Sequence, residues 1–150
     1  VTILHAQLSP PRDARVLAYL SAIEAPRSRL RDAIQSYRNA TSQPGGSSTA
    51  HATAARRLRE QIDISYRAIE SISPPPSLAQ AHAEYLAGLA KERAALDEIL
   101  AFYGSFRVEL ANRAALQMED AAAHLDRARA AFDEQLEAIP AREIQPQSIR

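Results

Sequence analysis

The stretch that decides the fold is residues 71–89, SISPPPSLAQAHAEYLAGL, in which three consecutive prolines separate two segments of helix-forming residues. Proline has no amide N–H and its ring crowds the preceding turn, so Pro74–Pro76 must end one helix before the next one begins. The residues Ser77-Leu78-Ala79-Gln80 fit a capping box, which predicts that the following helix begins at residue 77. The stretch is therefore predicted to be a rigid corner between two helices.

Clusters of proline and glycine divide the whole chain into four such segments. Alanine, leucine, arginine, glutamate and glutamine dominate them, as is typical of helices. Apolar residues recur in steps of three and four, which marks one buried face on each helix. The predicted helices span residues 10–41, 48–73, 77–103 and 106–139, and residues 140–150 are predicted to be a polar tail.

Four amphipathic helices with short connections pack most simply as an antiparallel bundle. We therefore predict a single all-α domain over residues 1–150, an up-down-up-down four-helix bundle with its first helix kinked at Pro26. Two stacked helical hairpins are the structural alternative.

The composition excludes several classes of function. The chain has 18 basic and 18 acidic residues, and neither sign forms a block, so no nucleic-acid partner is predicted. There is no cysteine, which excludes disulfides, thiol catalysis and haem attachment through cysteine. The common nucleotide-binding, hydrolase and metalloprotease motifs are also missing from the sequence. We predict no enzymatic activity and no cofactor.

The buried face of the third predicted helix carries a histidine and a glutamate. Its stripe is Leu78, His82, Tyr85, Leu89, Glu92, Leu96, Ile99 and Tyr103. His82 raises the main functional question, because a buried imidazole needs a hydrogen-bonding partner. A tyrosine or a backbone carbonyl as partner would make His82 structural, whereas convergence with His124 and a carboxylate would make it part of a site.

Counting along the helices from their connections places five possible metal ligands in one layer of the bundle. They are His82, His124, Asp120, Glu70 and Glu24. Imidazole and carboxylate together suit zinc, manganese or iron. The alternative is that His82 is a core residue, that Glu24 and Glu70 lie on the surface, and that Asp120 and His124 form an exposed pair one turn apart.

Arg27 and Glu92 are charged residues at stripe positions of the first and third helices. They could form an inward ion pair or line a polar binding cavity to which tyrosine hydroxyls contribute. The alternative, which we favour, is that Arg27 turns outward at the Pro26 kink and that Glu92 extends its carboxylate to the surface.

The pattern Pro-Pro-x-Leu-x-x-x-His-x-x-Tyr-Leu, residues 75–86, resembles one found in uncharacterised bacterial extracytoplasmic helical proteins, many of them lipoproteins. The resemblance covers about residues 74–103 and implies an exported helical domain, but no activity or site residue. A chain rich in alanine, with Lys91 as its only lysine, also has a bacterial character. We expect an extracytoplasmic location, with a possible membrane tether upstream of Val1.

Two functional hypotheses follow. The first is a non-enzymatic bundle that serves as a structural, interaction or ligand-sensing module, with a protein or a small ligand as partner. The second is a metal-binding bundle that uses His82 and His124 with nearby carboxylates. The oligomeric state is left open by the sequence.

Overall fold

A computed structural model of the chain describes residues 12–140. This part contains four helices, namely α1 (Arg12–Thr41), α2 (Ser48–Glu70), α3 (Ala79–Ser105) and α4 (Val108–Glu137), and a 3₁₀ turn (Pro76–Leu78) before α3. Consecutive helices pack against each other and residues 12–140 contain no strand, so the predicted all-α four-helix bundle is confirmed. Predictions for residues 1–11 and 141–150 lie outside the described residues.

The proline corner is formed, but its cap differs from the prediction. Helix α2 ends at Glu70, and the Ser71 hydroxyl donates to the carbonyl of Ala68 at 2.8 Å. Residue 78 is the N-cap of α3, without a side-chain cap, so the predicted capping box at Ser77 is wrong. The reason is that the 3₁₀ turn uses backbone carbonyls instead: the Leu78 N–H donates to the carbonyl of Pro75 at 2.9 Å.

The connection between α3 and α4 is also displaced from its predicted position. Gly104 lies inside α3, which continues to Ser105, and the helix ends at Phe106 in the left-handed conformation with φ 57°. The centre of the hairpin is therefore two residues further along the chain than Gly104. Moving the centre by two residues shifts the facing register of α4 by about four residues, or roughly 6 Å at 1.5 Å per residue.

Helices α3 and α4 form the most extensive helix pair of the described chain. Their backbones approach closely at Gly88, where an added Cβ atom would lie 2.7 Å from Leu125 Cγ and 3.2 Å from His124 Cβ. Small buried residues, Ala95, Ala114, Ala121 and Ala128, occupy the same two helices. This arrangement agrees with the expectation that small residues allow close packing.

Pro26 lies within α1, which continues through it as a helix. Ser65 of α2 is fully buried, and its hydroxyl donates to the Pro26 carbonyl at 3.3 Å. The side-chain amide of Gln61 donates in turn to the Ser65 hydroxyl at 3.1 Å. Ser65 can therefore be buried, because its hydroxyl has hydrogen-bonding partners on α1 and α2. The bend at Pro26 stays a prediction.

Candidate functional site

The α1–α4 seam is the face along which the first and last helices meet. Among the four pairs of neighbouring helices, α1 and α4 contact each other least. The space is filled by large aromatic and charged side chains from α1, α3 and α4, whereas small residues fill the α3–α4 interface. The side chains of the seam are Tyr19, Arg27, His82, Tyr85 and Phe132.

His82 is buried and is paired with a tyrosine of α1. The Tyr19 hydroxyl lies 2.8 Å from His82 Nδ1, and the two rings meet edge to face with centroids 5.7 Å apart. Burial raises the pKa of Tyr19 to about 12, and burial lowers the pKa of His82. Both side chains are therefore neutral near pH 7, and they share one hydrogen bond between the hydroxyl and Nδ1.

Arg27 turns into the seam rather than outward. Its guanidinium carbon lies 5.2 Å from the centre of the Phe132 ring and 5.9 Å from that of Tyr85. These distances are those of cation–π contacts. In residues 12–140, the ion pairs do not include Arg27. The interpretation that Arg27 points outward is wrong.

Glu92 is only 8% exposed, but neither of its carboxylate oxygens is among the fully buried side-chain atoms without a hydrogen-bond partner. The interpretation that its carboxylate reaches the surface stays a prediction. No described residue donates a hydrogen bond to it or pairs with it, and the inward ion pair with Arg27 is absent from residues 12–140. Loss of hydration raises the pKa of Glu92 to about 6, against the opposing effect of Arg129 and Arg38. Glu92 is therefore a largely buried acid without a partner among the described residues.

A groove of ≈ 220 Å³ opens between α1 and α4 beside Arg27 and Phe132. Leucine side chains form its apolar walls, and the carboxylates of Glu24 and Asp133 also line it. Its lining residues are Leu17, Leu20, Ser21, Glu24, Arg27, Phe132, Asp133 and Leu136. Glu24 is already paired with Arg31, whose guanidinium donates to it at 2.7 Å. Arg27 is the one basic residue among these lining residues.

The five predicted metal ligands are not gathered into one layer. His82 pairs with Tyr19, Glu24 pairs with Arg31, and Glu70 is exposed at the end of α2. Within residues 12–140, no group of three or more histidines and carboxylates is placed to hold a metal ion. The displaced register of α4 explains part of this, since it moves His124 to the level of Gly88. Metal binding by these residues stays a prediction for metal analysis to test.

Asp120 and His124 lie together in a surface network between α3 and α4. His124 Nδ1 lies 2.9 Å from Glu84 Oε2, and its Nε2 lies 4.0 Å from Asp120 Oδ1. Arg127 donates to the other oxygen of Glu84, and Lys91 lies 3.0 Å from Asp120. Hydrogen bonds from Arg127 and His124 lower the pKa of Glu84, and one from Lys91 lowers that of Asp120. These contacts are ion pairs and hydrogen bonds between side chains of α3 and α4.

Sequence reasoning missed Tyr19 and Phe132 as members of the seam. The available signal for Tyr19 was its spacing, because Tyr19 lies three residues after Val16 and four before Ile23, both of which are fully buried. Leu20, the next residue along the helix, is only partly buried. Facing residues from different helices depend on register, which spacing along one helix does not give.

Comparison of the chain with protein-family models, curated proteins and solved structures found no match. The resemblance to bacterial extracytoplasmic helical proteins thus stays a prediction. Among residues 12–140, no helix has the length and apolar character needed to cross a bilayer.

Proposed function

We propose that this bundle is a non-enzymatic binding module and that the α1–α4 seam is its recognition site. The proposed ligand is a small carboxylate with a short apolar body, or a chemically similar end of a larger partner. The observation that carries the proposal is the guanidinium of Arg27, stacked on Phe132 and Tyr85 at the groove and free of an ion pair within the described chain.

Arg27 supports this choice because its position is fixed before any ligand binds. Contact with two aromatic rings restricts the side chain, so less conformational entropy is lost when the guanidinium forms hydrogen bonds. A planar guanidinium stacked on a ring keeps its N–H edge available for a carboxylate, which it can bind through two parallel hydrogen bonds.

The groove walls support a ligand that is partly apolar. Leu17 and Leu20 of α1 face Leu136 of α4 across the groove. A volume of ≈ 220 Å³ is below the roughly 300–1,000 Å³ typical of drug-sized ligand sites. A small monoanion therefore fits better than a large one, and Asp133 at the edge disfavours a second negative charge.

The seam also supports a binding role over a catalytic one. The Tyr19–His82 pair has no carboxylate partner within the described residues, and both members are held neutral by burial. General acid–base catalysis needs a group whose pKa lies near the working pH and which reaches the reacting atoms. Glu92 has a pKa of about 6 but does not line the groove. We further propose an extracytoplasmic location, which fractionation of cells that express the full-length protein would test.

The experiment is a titration of the purified protein with hexanoate, followed by two-dimensional NMR and calorimetry. We expect hexanoate to shift the resonances of Leu17, Leu20 and Phe132. Arg27→Gln should weaken binding by roughly tenfold or more, whereas Arg29→Gln, an exposed arginine of the same helix outside the groove, should leave it unchanged.

Hexylamine is the matched ligand control, because it has the same apolar chain and the opposite charge. Equal binding of hexanoate to Arg27→Gln and to the unsubstituted protein would contradict the proposal. So would the absence of binding by carboxylates from butanoate to octanoate.

A further inference from the structure

The tip of the α3–α4 hairpin, residues 105–108, exposes two apolar side chains. Phe106 is 62% exposed and Val108 is 63% exposed. The Phe106 ring lies edge to face with the ring of the partly buried Phe102, with centroids 5.9 Å apart. An aromatic ring held in water at a helix corner gains little from the packing of the bundle.

The backbone at Phe106 is also unfavourable for this residue type. Phe106 is the only non-glycine residue with a positive φ in the described chain, at 57°. Glycine or asparagine normally ends a helix in this conformation, because a Cβ atom crowds the backbone there. Both the local conformation and the exposure therefore disfavour phenylalanine, which points to a role outside the fold.

The end of the bundle that carries the tip is slightly basic. Taken to the same depth on each helix, it comprises residues 36–53 and 98–115, with the arginines Arg38, Arg107 and Arg113 against the glutamates Glu98 and Glu109. All three arginines are exposed, and Arg113 pairs with Glu98 at 3.0 Å. This end thus has one more positive than negative charge. The rest of residues 12–140 has thirteen basic and fifteen acidic side chains, an excess of two negative charges.

We propose that this tip binds the surface of an anionic lipid bilayer, with Phe106 and Val108 entering the interface and the arginines lying against the lipid phosphates. Apolar side chains with neighbouring basic residues are the combination that such surfaces attract. A stable protein partner would instead require a broad complementary surface, whereas the tip is a convex corner with two apolar side chains and dispersed charge. Two side chains predict weak, reversible binding that depends on salt.

The test is co-sedimentation of the purified protein with vesicles of phosphatidylcholine alone or mixed with phosphatidylglycerol. We expect binding only to the mixed vesicles, and its loss when salt is raised from about 0.1 M to about 1 M. Phe106→Asn should reduce the bound fraction strongly, because asparagine removes the ring and tolerates the left-handed conformation. Leu116→Asn is the matched control: Leu116 is 65% exposed on α4 but lies outside the basic end, so binding should be retained.

Circular dichroism will show whether the variants keep their helices, and Val108→Asn repeats the test at a residue without backbone strain. The proposal is overturned if the protein ignores the mixed vesicles, if it binds both vesicle types equally, or if the Phe106 and Leu116 variants behave alike. Light scattering adds one more outcome: self-association that Phe106→Asn abolishes, without vesicle binding, would identify a second copy as the partner and overturn the lipid proposal.

Discussion

The hydroxyl of Tyr19 lies 2.8 Å from Nδ1 of His82 and links α1 to α3 through the bundle. The contact answers the question that the sequence raised about His82, since its partner is a tyrosine and not a metal ligand set. The phenol has a raised pKa and stays protonated, so the contact is a hydrogen bond between two neutral side chains. A neutral hydrogen-bonded pair in this place satisfies two buried polar groups at once.

Tyr19→Phe should lower the free energy of unfolding by about 1–2 kcal/mol, because it leaves a buried imidazole nitrogen without its partner. Denaturant unfolding monitored by circular dichroism measures the change. Tyr37→Phe is the matched control: Tyr37 is partly buried in the same helix, and its hydroxyl makes no hydrogen bond within the described residues. Its effect should stay within about 0.5 kcal/mol. Equal effects of the two substitutions would show that the Tyr19–His82 bond does not stabilise the fold.

Glu92 should make the stability of the bundle depend on pH. Its pKa is raised, chiefly by burial, from 4.5 to about 6, so the folded state binds the proton more tightly than the unfolded state. The stabilisation from protonated Glu92 is therefore complete below about pH 4.5 and is lost as the pH rises through about 6. The corresponding change in unfolding free energy is roughly 2 kcal/mol. His82 acts in the opposite direction, because its lowered pKa removes stability as the pH falls.

Unfolding curves of the unsubstituted protein and of Glu92→Gln, recorded from acid to neutral pH, separate the two groups. The difference between the proteins should grow in favour of Glu92→Gln as the pH rises, since Arg38 and Arg129 do not fully offset the buried charge. Glu60→Gln, at an exposed position of α2, controls for the loss of a surface charge. A difference that stays constant across this pH range would contradict the assignment of the effect to Glu92.

The helices and most of the core were predictable because both follow from periodicity within one segment. Six of the eight stripe residues of the third helix are buried, from Leu78 to Leu96. The same reasoning failed between helices, where His82 met Tyr19 instead of a layer with Glu24, and His124 lay level with Gly88. One cause is local, because α3 continues through Gly104 to Ser105 and ends at Phe106, beyond the predicted end at residue 103.

The two charged stripe residues show a second limit of sequence reasoning. Long side chains usually carry their charge to the surface, which led to the wrong expectation for Arg27. Arg27 instead stacks on rings contributed by two other helices, and Glu92 is largely buried without a partner among the described residues. Neither environment can be seen from one helix, because each is made by residues that lie far apart in the chain.

Metal analysis tests the metal-binding hypothesis directly. We expect protein purified with zinc, manganese and iron available to contain no stoichiometric metal, because Tyr19 occupies His82 Nδ1 and Lys91 competes for Asp120. Stoichiometric metal that His82→Ala and His124→Ala both remove would contradict this expectation and support the predicted site. The same preparation of Glu84→Gln serves as a control for general loss of the surface network.

Gly88→Ala should destabilise the bundle, although alanine is the better helix former. The new methyl group would lie 2.7 Å from Leu125 Cγ and 3.2 Å from His124 Cβ, so α3 and α4 must separate or repack. Overpacking of this kind costs about 1–3 kcal/mol, which exceeds the roughly 1 kcal/mol gained by replacing glycine within a helix.

Gly104→Ala is the matched control in the same helix, because an added Cβ atom there meets nothing within 4 Å. Gly104→Ala should therefore stabilise the protein by up to about 1 kcal/mol, and urea unfolding of the two variants should give shifts of opposite sign. If Gly88→Ala also stabilised the protein, the close approach of α3 and α4 at this position would be wrong.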